Sequence, residues 1–174
     1  MILRGGVVAY PTEAVYGIGC LPFAEEALVR VIAIKQRDAR KGLIVVASEL
    51  EQLEPLAELP DGPIGERIRA GWPGPLTWVV PARHGVSALL TGGRATIAVR
   101  VSDHPIVRRL CRRTGSALVS TSANRSGRRP AVSALAVRHR LGRELDCVLA
   151  GPLGANTRPT EIRSGATGAV LRPG

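Results

Sequence analysis

The segment 7–20, VVAYPTEAVYGIGC, limits the folds open to this chain more than any other stretch. Val7, Val8 and Ala9 are an apolar run suited to a buried strand, and Pro11, which has no amide hydrogen to give a ladder, predicts the strand's end. A polar corner follows. Thr12, Glu13 and Tyr16 place two hydroxyls and a carboxylate at the strand's mouth, while Gly17 and Gly19 let backbone come close to a neighbour or a ligand. A tight turn between core elements meets the same description, so both readings stand at this point.

Short apolar runs recur along the chain with helical stretches between them. A helix over 24–35 puts Leu28, Val31, Ile32 and Lys35 on neighbouring positions of one face, with Glu25 and Glu26 suiting its first turn and Lys35 its last. The run 42–47, GLIVVA, reads as a fully buried strand, and Ser48 with Glu51 as the capping box of a short helix. Further on, 64–70 predicts a helix ending at Gly71, Trp72-Pro73-Gly74-Pro75 a loop, and 76–80 a strand. Alternation over 95–101 sends Ile97, Val99 and Val101 to one face and Arg100 to the other. Asp103 is expected to cap a helix over 104–114 closed by Gly115, and Ser133 another reaching about residue 140. The segments 117–120, 147–150, 161–163 and 169–171 read as strands. Interleaved strands and helices, without repeat or linker, predict one domain over 1–174 of mixed α/β (α+β) class built on one mixed sheet.

Composition narrows the function classes. The net charge is +10, which attracts polyanions such as RNA or phosphate-bearing substrates. Lys35 and Lys41 are the only lysines among 24 basic residues. An Arg-, Ala- and Gly-rich composition is also what a GC-rich coding sequence produces, so the arginines say less than the two lysines. Aromatics make up 3%, which leaves few stacking platforms. Cys20, Cys111 and Cys147 lack CxxC spacing, so neither a disulfide framework nor a zinc site is suggested, and all three read as small buried hydrophobes. No apolar run approaches the about 18–20 residues that cross a membrane, and no signal-peptide pattern opens the chain, so a cytoplasmic location is expected.

Three clusters could carry chemistry. Lys35-Gln36-Arg37, with Lys41 close behind, joins a point charge to a planar fork, as holding a carboxylate and a phosphate requires; an ordinary helix end looks the same. Ser120-Thr121-Ser122-Ala123-Asn124 follows a strand, where ligands of α/β proteins bind and where turns also occur. The tail adds Pro159-Thr160-Glu161-Ile162-Arg163 and Arg172, which a C-terminal hairpin with exposed arginines would equally explain. His84, His104 and His139 are dispersed and make no metal site. Arg108, Arg109, Arg112 and Arg113 fall on one side of a predicted helix, with Arg125, Arg128 and Arg129 following: a solvated face or a polyanion contact.

Taken in order, PTEAVYGIGC, KQR, KGLIVVA, WPGPLTWVVPA, IAVRVSDHP, LVSTSAN, PTEIR and TGAVLRPG closely resemble the YrdC/Sua5 family, above all its short single-domain bacterial members. The resemblance implies a twisted mixed parallel and antiparallel sheet with flanking helices and a concave basic cleft. It implies a nucleotidyltransferase that makes threonylcarbamoyl-AMP and pyrophosphate from L-threonine, bicarbonate and ATP, with Mg²⁺ arriving on the ATP and no metal held by protein ligands. Threonylcarbamoyl would pass to adenosine 37 of tRNA through a transferase complex of the TsaD/TsaB/TsaE type. The family's KxR and SxN signature falls on Lys35, Arg37, Ser122 and Asn124. By that carry-over Lys35 and Arg37 are catalytic, and Thr12, Tyr16, Lys35 and Arg100 serve threonine. Arg37, Ser120, Ser122, Asn124, Thr160 and Arg172 serve the nucleotide; Glu13 receives no role. Leu21-Pro22 stands where the family commonly has Asp-Pro, and Ser164 where an Asp is usual. A helix that precedes the first strand in relatives is expected to be missing, since only 1–6 come before it here. The alternative reading is a non-catalytic module binding double-stranded RNA or tRNA.

Overall fold

The computed structural model describes residues 1–156 and 160–174, so Pro159 of the tail motif lies outside the described residues. Strands β1 (Val8–Pro11) and β2 (Tyr16–Gly19) form an antiparallel hairpin, registered from Val8↔Gly19 to Pro11↔Tyr16. Pro11 takes the last place of β1, as its missing amide predicts. Its partner was less legible, because two glycines in four residues argue against a strand, yet β2 is buried throughout. Backbone proximity explains them. A Cβ on Gly19 would stand 1.7 Å from the Val119 carbonyl oxygen, so no larger residue lets the chain pass there.

Helix α1 (Glu25–Lys35) buries Leu28, Val31, Ile34 and Lys35, and stops at Gln36 in the left-handed region at φ 48°. Among the described residues Gln36 is the only non-glycine at positive φ. Next come β3 (Ile44–Ala47), α2 (Gly62–Ala70), β4 (Leu76–Pro81), α3 (Ala88–Thr91), β5 (Thr96–Val101) and α4 (Pro105–Thr114). The chain continues through β6 (Leu118–Val119), β7 (Thr121–Ser122), α5 (Ala134–Leu141), β8 (Cys147–Val148), β9 (Glu161–Ser164) and β10 (Val170–Arg172). The mixed α/β class is as expected, but the strands divide between two mixed sheets, ordered β7-β2-β1-β8 and β10-β9-β4-β5-β3-β6. The division lies at Ser120. There β6, paired with β3, bends into β7, paired with β2, while the Ser120 amide donates to Ile44 O at 2.8 Å and the Val119 amide to Cys20 O at 2.9 Å.

Two expected caps move. His104, not Asp103, is the N-cap of α4; Pro105 occupies the first turn, where its missing amide is harmless, and the His104 amide donates to Ser102 Oγ at 3.1 Å. Ser48 is bridged by Gln52 rather than Glu51, its amide and hydroxyl both reaching Oε1. Ser133 caps α5 as predicted, accepting from the Ala136 amide at 3.2 Å. Cys20 and Cys111 are buried, with thiols pushed up to about 12 by that burial, but Cys147 is exposed on the short strand β8.

The faces of the larger sheet decide where a ligand can lie. Ile97, Val99 and Val101 turn into the main core with Val45, Trp78, Val80, Leu28 and Val31. On the opposite face Val46 joins a second core with Val8, Tyr10, Val107, Cys111 and Leu118 beneath α4. Beyond it that face is left uncovered. Ile44, Val79, Thr96, Ala98 and Arg100 line a cavity there, with Arg100 opposite the valines as the alternation predicts. The crossing at Gly19 makes a sharp test of this packing. Gly19→Ala is expected to cost about 2–4 kcal/mol by overpacking, read as a fall in the urea midpoint with an unchanged m-value.

Candidate active site

The cavity, about 580 Å³, lies over β5 and is walled by the hairpin corner, by 120–122 and by the C-terminal strands. Its polar lining combines hydroxyls of Thr12, Ser120, Thr121, Ser122 and Thr160 with the cations Arg37, Lys41, Arg94, Arg100 and Arg172. Among the described residues no carboxylate lines it. Ile44, Ala98, Ile162 and Leu171 supply apolar surface between the charges.

Of the site residues expected from the sequence, Thr12, Arg37, Arg100, Ser120, Ser122, Thr160 and Arg172 share this lining, whereas Tyr16, Lys35 and Asn124 do not. Each of those three is committed to protein partners. The Tyr16 hydroxyl donates to Gly151 O at 2.8 Å and accepts from the Gly151 amide at 3.2 Å, tying segment 151–154 to the hairpin. Asn124 Nδ2 donates to Arg125 O and Arg128 O, and its Oδ1 accepts from Ser122 Oγ at 2.6 Å. Lys35 is 2% exposed, and its ammonium donates to Ser122 O at 2.5 Å and Asn124 O at 3.0 Å. Both side-chain oxygens of the same loop stand within 3.4 Å of it.

Gln36 explains how neighbours in one motif come to face different ways. Its left-handed backbone turns the chain back at the end of α1, the Arg37 amide returning to Ile32 O, so that Lys35 points beneath loop 122–124 while Arg37 enters the cavity. A non-glycine residue in that region is held against a local cost, the kind of strain found where function fixes geometry.

The guanidiniums are under-satisfied. Arg37 Nε and Arg100 Nε are buried without a hydrogen-bond partner. Burial holds Arg37 below its ordinary value; Arg172 is lowered by burial first and then by the charges of Arg37 and Arg100. Arg172 spends one arm on Thr160 O at 2.8 Å, and Arg94 one on Arg40 O at 2.7 Å. Mutually repelling cations with unused donors in a concave wall form a receptor for anions.

Glu13 is the carboxylate behind this wall. Its Oε2 accepts from Arg100 Nη2 at 3.0 Å and its Oε1 from Ser102 Oγ at 2.5 Å, with Glu13 4% and Arg100 5% exposed. Thr12 Oγ1 donates to Val15 O at 2.7 Å, which leaves the hydroxyl's lone pairs as its remaining capacity toward the cavity. Lys41 and Thr121, legible in the sequence as a cation and as part of the polar cluster but given no role there, also line the cavity, as does Arg94, which no motif included. Arg94 had no local signal, since it is brought in by the contact of 40–42 with 90–92, where Leu43 N donates to Leu90 O at 2.9 Å.

Comparison with known proteins bears on the family and the fold. A family model described as Sua5_yciO_yrdC, telomere recombination, matches residues 1–174. The chain is 52% identical over 171 residues to the threonylcarbamoyl-AMP synthase of Alkalilimnicola ehrlichii, covering 97% of this chain and 89% of that one. It superposes on P. abyssi Sua5 complexed with L-threonine with a TM-score of 0.91 at 33% identity, over 99% of this chain and 51% of that one, so it spans about half the length of Sua5. It also resembles E. coli YciO, with a TM-score of 0.84 at 26% identity over 98% and 84% of the two chains.

Lys35 offers a direct check on the loop geometry. Burial, and secondarily the charge of Arg37, lowers it from 10.5 to about 8. Between those values the unfolded chain binds more protons than the folded one. This group's contribution to stability is therefore present above 10.5 and is lost as the pH falls through about 8. Protein carrying ¹³Cε-lysine should show a resonance titrating near 8, and Lys35→Arg should remove it.

Proposed function

The chain belongs to the Sua5/YciO/YrdC family, and from that premise we propose that it is a threonylcarbamoyl-AMP synthase, taking L-threonine, bicarbonate and ATP to threonylcarbamoyl-AMP and pyrophosphate. The observation that carries the reading is the convergence of Arg37, Arg100 and Arg172, two of them with a buried unpaired Nε, on a cavity whose described lining holds no carboxylate. A triphosphate and an amino-acid carboxylate need such a place. The synthase of A. ehrlichii and the threonine complex of Sua5 supply the substrate class.

The reaction needs positioning and charge neutralisation more than a nucleophile from the protein. The threonine nitrogen adds to bicarbonate carbon and water leaves, giving a carbamate. A carbamate oxygen then attacks the α-phosphorus as the bond to pyrophosphate breaks. Arg37, Lys41 and Arg172 offset the charge that spreads over the phosphoryl and leaving oxygens, and Ser120, Thr121, Ser122 and Thr160 orient them. Arg100 and Thr12 take the amino-acid end. Lys35, Asn124 and Tyr16 act through others in this scheme: Lys35 and Asn124 set the loop carrying Ser122, and Tyr16 fixes the segment against the hairpin corner. Ile44, Ala98, Ile162 and Leu171 offer the base an apolar bed.

The donor set does not fit a divalent ion held by the protein. Among the described residues no group of three His, Cys, Asp or Glu could hold one, and Glu13 is committed to Arg100 and Ser102. Mg²⁺ would instead arrive on the phosphates of ATP and offset their charge. Transfer to tRNA adenosine 37 by a TsaD/TsaB/TsaE-type complex, in the cytoplasm, completes the proposal. A non-catalytic RNA module would use the basic face of α4, where Arg108 and Arg112 already share Glu49, but it gives the buried guanidiniums nothing to do.

Pyrophosphate release from ATP·Mg²⁺ should require both threonine and bicarbonate; release without threonine would defeat the assignment. Arg37→Ala is expected to lower kcat/KM about 100- to 1,000-fold at an unchanged melting temperature. Lys35→Ala, which orphans two carbonyls, should lower activity and melting temperature together.

A further inference from the structure

We propose that Glu13, with Ser102, is a positioning residue that holds Arg100 by one arm in the cavity wall, so that the rest of its guanidinium receives the carboxylate of the amino-acid substrate. The inference rests on the synthase reading and adds a role for the one carboxylate that touches the site's cations.

The hydrogen-bond pattern is not that of a plain structural ion pair. A carboxylate beside an arginine usually takes two parallel bonds, one to each oxygen. Here only Arg100 Nη2 reaches Glu13, at 3.0 Å to Oε2, because Oε1 is occupied by the Ser102 hydroxyl at 2.5 Å. Ser102 is itself held, since its Oγ accepts from the His104 amide at the start of α4 at 3.1 Å. The Glu13 backbone is held as well, because the Asn156 amide donates to its carbonyl at 3.2 Å and Gly154 lies so close that a Cβ there would be 2.8 Å from that oxygen. Arg100 is thus gripped by one arm and left with a buried Nε that has no partner. Leaving such a donor unmade is costly, and a small turn of the guanidinium, which lines the cavity, toward a ligand oxygen would relieve it.

The charge balance selects the ligand. Arg100 carrying Glu13 presents a guanidinium already compensated by one carboxylate, a poor match for a triphosphate and a good one for a single carboxylate in fork geometry. Arg37 and Arg172 have no such carboxylate beside them among the described residues and remain for the polyphosphate. Thr12, next to Glu13 in the chain and also in the lining, puts a hydroxyl at the same end.

The test uses protein labelled with ¹⁵N-arginine, the Arg100 Nε–Hε resonance being identified by its loss in Arg100→Lys. L-threonine should shift it, whereas pyrophosphate and L-threoninol, which lacks the carboxylate, should not. In Glu13→Gln the threonine midpoint should weaken about tenfold, and the threonine KM should rise about tenfold with the KM for ATP unchanged. In an Arg100→Lys background Glu13→Gln should add little, as expected for a residue acting through Arg100. Ser102→Ala keeps the ion pair and lets Glu13 take Arg100 with both oxygens; it should raise the threonine KM with the KM for ATP unchanged, and it serves if Glu13→Gln does not fold. Additive losses, equal effects on both substrates, or a resonance that follows pyrophosphate instead of threonine would overturn the inference. A threonine-responsive resonance without threonine-dependent turnover would overturn the synthase reading alone, and turnover with a silent resonance the inference alone.

Discussion

The ammonium of Lys35, buried at the C-terminal end of α1, decides where segment 122–124 can lie, and through it the shape of one wall of the cavity. A cation at a helix C-terminus is favoured by the helix dipole, and here it also collects two carbonyls that would otherwise need water. Taking a charge out of water is unfavourable, and the depressed value near 8 measures that cost. The oxygens of Ser122 and Asn124 offset it. Their geometry is available only because the loop closes on itself, Ser122 Oγ onto Asn124 Oδ1 and Asn124 Nδ2 onto the carbonyls of 125 and 128. Helix end and loop form one unit, with neither positioned without the other.

The cations of the cavity follow the opposite logic. Several arginines elsewhere have carboxylate partners, as Arg40 has Asp38 and Arg125 has Glu144, and such surface pairs contribute little to stability. Arg37 is half-buried with an unpartnered Nε, and Arg172, exposed on β10, stands against its charge with only the Thr160 carbonyl for a partner. A fold selected for stability alone would pair them. Their arrangement is intelligible as binding energy held for an anion, stability surrendered in the unliganded protein and recovered when phosphate and carboxylate oxygens enter.

How much of this was legible in the sequence depended on the range of the interaction. Strand β3, the alternation that turned Arg100 from the valines, and the Ser133 cap are local consequences of side-chain period and hydroxyl chemistry, and they appear where the sequence puts them. The second arm of the hairpin was hidden because Gly19 answers to the Val119 carbonyl, far away in sequence, and Gly17 to the side chains of Thr12 and Ser120. Motif and ordering supplied Arg37, Ser122 and Thr160. They did not separate what lines the cavity from what holds the lining, since that depends on the left-handed turn at Gln36 and on burial that spacing does not report. Glu13 had no role from sequence because its partners, Arg100 and Ser102, lie 87 and 89 residues away.

The same distance effect explains why segment 7–20 controls a site to which it gives few direct contacts. β6 and β7 are one stretch of chain serving two sheets, and the bend at Ser120 turns Ser120, Thr121 and Ser122 into the cavity wall. That stretch runs against β2 at van der Waals limits: the Val119 carbonyl sits in the space Gly19 leaves and accepts from the Tyr10 hydroxyl at 2.9 Å, while the Ser120 hydroxyl lies 3.2 Å from where a Cβ on Gly17 would be. A side chain at Gly19 would displace the wall before it touched a ligand, and one at Gly17 would press on Thr12 and Ser120. The hairpin's other end does the complementary work, its turn presenting Thr12 to the cavity and Glu13 to Arg100. Both walls are therefore gauged from one hairpin, and the distance between the hydroxyls of 120–122 and the guanidinium of Arg100 is set by four residues of β1 and four of β2.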